Sequence, residues 1–79
     1  MKDYPIYIID WLDHTGDAGW STEHEVSNQT PVTARTIGYK IHENKQSIKL
    51  ADTLTDDDGV GGVTLILKST IVSKWECHE

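Results

Sequence analysis

Apolar and polar positions along this chain fall into five short runs, each too brief for a long amphipathic helix. Tyr4 to Trp11 (YPIYIIDW) is bulky, aromatic and β-branched, which predicts a strand. Val32 to Glu43 (VTARTIGYKIHE) alternates, with Val32, Ala34, Thr36, Gly38, Lys40 and His42 on one face and Thr33, Arg35, Ile37, Tyr39 and Ile41 on the other. The apolar side of this run changes near Gly38, which predicts a bulge or a tight bend. Ser47 to Leu54 (SIKLADTL) puts Ile48, Leu50 and Leu54 on one face, interrupted by Asp52. Val63 to Lys68 and Ile71 to Glu76 are two further strands, parted only by Ser69 and Thr70.

The segments between these runs are rich in turn formers. Asp13 to Gly19 reads as a loop bracketed by Trp11 and Trp20. Thr22 followed by Glu25 fits a capping box, so one short helical turn is expected over Ser21 to Val26 before Pro31 restores extended structure. Asn44-Lys45-Gln46 is a hairpin connection. Thr55 to Gly62 (TDDDGVGG) combines like charges with three glycines and is expected to be a mobile loop, and Cys77-His78-Glu79 a frayed end. The pattern predicts an all-β domain with minor α content: five short strands in a small, strongly bent sheet, either an SH3-like barrel or an open roll.

With 79 residues, the chain is expected to form one small domain over positions 1–79. Such a chain buries only about 60–65% of its unfolded surface, so the core is thin and self-association is expected to add burial. The single cysteine, Cys77, cannot close an intramolecular disulfide, and a reducing setting fits best. No apolar run reaches the roughly 18–20 residues of a membrane span, and the N-terminal stretch does not read as a secretory signal. Seven Lys and Arg against 13 Asp and Glu give a net charge of −6, which argues against binding to phosphate backbones.

Reactive motifs are sparse. His14, His24, His42 and His78 lack the close ligand pairs of a zinc site. Asp56-Asp57-Asp58-Gly59 fails as a calcium loop, because Leu54 and Leu65 fall on the first and last ligand positions. Gly59, Gly61 and Gly62 match neither phosphate-binding spacing and lie between strands. Ser69 and Cys77 have no partner signature of an activated nucleophile. No catalytic activity, cofactor or metal is expected from this set.

The three tryptophans are the largest apolar groups in a chain without phenylalanine. Trp75, inside the last strand, is expected in the core. Trp11 and Trp20 flank the Gly/Asp-rich loop and are expected to be half covered. Near Arg35, Tyr39 or Lys68 they could stack on a flat ligand or anchor a protein partner.

Trp11-Leu12-Asp13, Trp20, Thr36-Ile37-Gly38-Tyr39, Ile48-Lys49-Leu50-Ala51 and Leu65-Ile66-Leu67-Lys68-Ser69 together resemble a set of small bacteriophage-encoded proteins. Those read as W-x-D, then V-G-W, then L-A, then I-P-K-S. Here Tyr39 stands in place of the tryptophan and Leu67 in place of the proline. The resemblance implies action in the cytoplasm of an infected bacterium and no established activity.

The expected function is that of a non-enzymatic accessory protein that binds and occupies a host protein. The candidate binding residues are Trp11, Asp13, Trp20, Arg35, Tyr39 and Lys68. A homo-oligomer that sequesters a nucleotide signal is the alternative. A metal-assisted hydrolase using His14, Asp17 and His24 is a third reading.

Overall fold

The computed structural model describes residues 2–13 and 32–78. Five strands form one antiparallel sheet: β1 (Ile6–Asp13), β2 (Val32–Glu43), β3 (Ser47–Leu54), β4 (Val60–Leu67) and β5 (Ile71–Cys77), in the order β4-β3-β2-β1-β5. A 3-10 turn, Lys68–Thr70, joins β4 to β5. The expected helical turn at Ser21 to Val26 lies outside the described residues. The observed turn falls where the sequence offered only a connection.

Connection length explains the bend. β4 and β5 stand four strand spacings apart, about 19 Å across a flat sheet. The turn between them covers about 8 Å at the rise of a 3-10 helix. The sheet must therefore roll. β4 and β5 do not pair, so the roll stays open, and the closed-barrel alternative is set aside. β2 serves both halves of the roll: Val32 to Tyr39 pairs with β1, and Tyr39 to Glu43 pairs with β3.

The core sits inside the roll. Ile9 of β1 clusters with Ile48 and Leu50 of β3 and Ile66 of β4, all 0–1% exposed, although β2 separates β1 from β3. Tyr7, Trp11 and Ile71 pack against this cluster. Gly38 stands at the change of partner strand. A Cβ there would lie 2.7 Å from the Ala51 carbonyl oxygen, so glycine is required by the close approach of β3. The bulge itself falls slightly later, between Lys40 and His42.

Two boundary expectations are corrected. Val60, Gly61 and Gly62 continue β4 instead of extending the acidic loop. Gly62, at φ 61°, lies opposite Asp52, whose carboxylate occupies the space a Cβ would need. The connection shrinks to Thr55–Gly59, closed by Thr55 N–H to the Gly59 carbonyl at 3.0 Å and Gly59 N–H to Thr55 Oγ1 at 2.9 Å. At the other end, Cys77 is not frayed but paired with Ile6.

Candidate binding face

The half of the sheet made by β2, β1 and β5 carries aligned rungs on its outer face. Ile37, Ile8 and Trp75 are register partners across the three strands. Arg35, Asp10 and Ser73 form the next rung on one side, and Tyr39, Ile6 and Cys77 the next on the other. Strand alternation puts all nine on the side away from Ile9. Ile37 is 58% exposed and Trp75 40%, so this face presents apolar and aromatic area to solvent.

Trp75 corrects the expectation that it belongs to the core, and the cause is a bulge in β5. Asp10 pairs with Ser73, but the next residue, Trp11, pairs with Ile71. Val72 is the extra residue. Ile71 therefore faces the core while Ser73 and Trp75 face outward. Without that insertion, Ile71 and Trp75 would share a side.

The polar rung is fully engaged. The Asp10 carboxylate accepts from Arg35 Nε at 2.7 Å, from Arg35 Nη2 at 3.0 Å and from Ser73 Oγ at 3.3 Å. The Arg35 hydrogen bonds hold the Asp10 carboxyl below its ordinary value, and the same contact raises Arg35. The guanidinium carbon lies 5.3 Å from the centroid of the Trp75 ring, within cation–π range. The apolar rung thus sets exposed Ile37 and Trp75 on either side of half-buried Ile8, beside an Arg35 whose charge is balanced by Asp10.

A second charged cluster serves the fold. Glu43 accepts from Lys40 at 2.9 Å and pairs with Lys68 at 2.7 Å, tying the end of β2 to the 3-10 turn. Lys68 first and Lys40 second pull the Glu43 carboxyl down to about 2. Lys40 also sits 4.8 Å from the centroid of the Tyr7 ring.

The structure brings together two of the candidate residues, Arg35 and Tyr39, on the outer face. Trp11 points to the opposite side, packs on the core and donates from Nε1 to Thr36 Oγ1 at 2.9 Å. Asp13 ends β1 opposite Val32. Lys68 is held by Glu43 in the turn. Trp20, His14, Asp17 and His24 lie outside the described residues. Ile8, Asp10 and Trp75 complete the face and were not among the candidates.

Among the described residues, no group of three or more His, Cys, Asp or Glu comes close enough to hold a metal ion. No described helix is long and apolar enough to cross a membrane. Comparison of the chain with family models, curated proteins and solved structures finds no match.

Proposed function

We propose that this chain is a non-enzymatic binding module that engages a protein partner through the outer face of β2, β1 and β5. Ile37 and Trp75 are the anchors and Arg35 lies beside them. The resemblance to small phage proteins makes a host protein in the bacterial cytoplasm the expected partner, and occupation of that protein the expected effect. The observation that carries the reading is the Ile37–Ile8–Trp75 rung, exposed at both ends, with Arg35 over its aromatic end. Apolar area of this kind stabilises association when it leaves water.

Nucleotide capture is less well supported. Arg35 and Lys68, the cations suited to phosphate, are engaged by Asp10 and Glu43. One face of Trp75 is occupied by Arg35, and the chain carries a net charge of −6. A depression lined by Tyr4, Leu54, Thr55 and Val60 has room for little more than a water molecule.

The test is capture from bacterial lysate with the wild-type chain and Trp75→Ala, followed by calorimetry with the purified captured protein. The expected result is a protein held by the wild type and lost by Trp75→Ala, with both variants giving the same β-type circular dichroism. Equal affinity of both variants for that protein overturns the reading. So does a nucleotide released from the purified wild-type chain on denaturation.

A further inference from the structure

The two edges of the sheet are built differently. β5 (IVSKWEC) carries Lys74, Glu76 and the Val72 bulge, all devices that discourage an edge from pairing. β4 (VGGVTLIL) carries no charge and no proline. Its outer-face residues Val63, Leu65 and Leu67 are 48%, 54% and 51% exposed. Among the described residues, no strand pairs with its far side.

We infer that β4 pairs antiparallel with β4 of a second copy of this chain, about a two-fold axis at Leu65. In this register Leu65 meets Leu65, Val63 meets Leu67, and Thr64 meets Ile66. A two-fold axis at Thr64 would set Leu67 against Gly61, and one at Ile66 would set Val63 against Ser69 beyond the strand. Leu65 is therefore the centre that matches all three outer apolar positions.

Charge supports the same pairing. Each chain is net negative, yet no like charges oppose each other along two uncharged strands. At each end, the 3-10 turn that carries Lys68 in one copy follows the last rung, on the side where Gly62 and the Asp52 carboxylate of the other copy lie. Lys68 already pairs with Glu43, but an ammonium has three donors and can meet a second carboxylate. The two-fold symmetry places this cation–carboxylate match at both ends, and closed symmetry of this kind is the common form of homodimers. Joining the two β4 edges also removes the less protected edge of each sheet.

The experiment is sedimentation equilibrium of the full chain over a concentration series reaching the millimolar range. The wild type is expected to pass from one chain to two. Leu65→Lys, which sets two cations against each other on the axis, is expected to weaken the dimer at least about tenfold. Val72→Lys, on the opposite edge, is expected to leave it unchanged.

Leu65→Cys in a Cys77→Ser background is expected to form an interchain disulfide on oxidation, because residues facing across an antiparallel pair have suitable spacing. This arm decides the matter if Leu65→Lys loses its circular dichroism. A single-chain mass throughout the wild-type series overturns the inference. So does a folded Leu65→Lys that associates like the wild type, or failure of Leu65→Cys to cross-link. The face around Trp75 plays no part in this contact, so Trp75→Ala is expected to dimerise normally, and a failed partner capture leaves the inference standing.

Discussion

Arg35 holds Asp10 in a planar fork, Nε to Oδ1 at 2.7 Å and Nη2 to Oδ2 at 3.0 Å, across the register that sets the two residues opposite each other on β2 and β1. The fork fixes the plane of the guanidinium beside the Trp75 ring. A lysine cannot reproduce two parallel donors. Arg35→Lys is therefore expected to uncover Trp75 and increase its quenching by acrylamide. The increase should vanish in Arg35→Lys combined with Trp75→Phe, which isolates the signal from Trp11 and Trp20. Global stability should change little, because exposed ion pairs contribute little.

Glu43 gives a pH dependence with a defined sign. Its carboxyl lies at about 2 in the folded chain, below its ordinary 4.5, because Lys68 and Lys40 donate to it. A depressed carboxyl stabilises the fold above its unfolded pKa and loses that contribution as pH falls through the folded value. Glu43→Gln is expected to cost about 1–2 kcal/mol at neutral pH, after allowance for solvent screening of partly exposed pairs. The difference from wild type should shrink from about pH 4.5 downward and be nearly gone near pH 2. Urea denaturation across this range checks both the sign and the window.

The glycines of β2 and β4 should respond in opposite ways. A Cβ on Gly38 would lie 2.7 Å from the Ala51 carbonyl oxygen and 3.3 Å from Leu50 Cβ. The nearest obstacle is backbone and cannot rotate aside, so Gly38→Ala is expected to cost about 1–3 kcal/mol. On Gly61 the nearest atom, Thr53 Cβ, is 3.8 Å away, an ordinary contact. Gly61→Ala is expected to be neutral or stabilising by a few tenths of a kcal/mol, because it restricts the unfolded chain. Thermal denaturation of both variants makes the comparison.

These positions also show what the sequence could reveal. β2 and β3 follow from alternation bounded by turn residues, and both begin and end where the pattern predicts. Gly38 marked the place where β2 changes partner, although its role is close approach and the bulge comes later. Gly61 and Gly62 misled because their composition signals a loop, whereas both lie in β4, and at Gly62 a positive φ and the Asp52 carboxylate favour glycine within the strand. Arg35 and Tyr39 stood out by residue type and share a face by alternation, but the pattern put the apolar side on that face from Ile37 onward, whereas Ile37 is 58% exposed there. Asp10 as the partner of Arg35 was not legible, because that contact spans 25 residues and depends on strand register. Trp75 was misplaced for a similar reason. One bulged residue reverses the facing of everything after it, and no local pattern announced Val72 as that residue.

The opposite environments of two isoleucines provide the last test. Ile48 is wholly buried against Ile9, Leu50 and Ile66, whereas Ile37 is 58% exposed on the outer face. Truncating Ile48 removes buried methyl groups and leaves a cavity that the rolled sheet cannot fill without moving its backbone. Ile48→Ala is therefore expected to cost about 2–5 kcal/mol, enough to unfold much of a domain with so thin a core. Ile37→Ala removes the same atoms from a site that already meets water, so the expected change is within about 0.5 kcal/mol. Denaturant titration of both variants tests this ordering. If Ile37→Ala proved as damaging as Ile48→Ala, the outer face would be part of the folding core, and the surface assigned to partner binding would not be available for it.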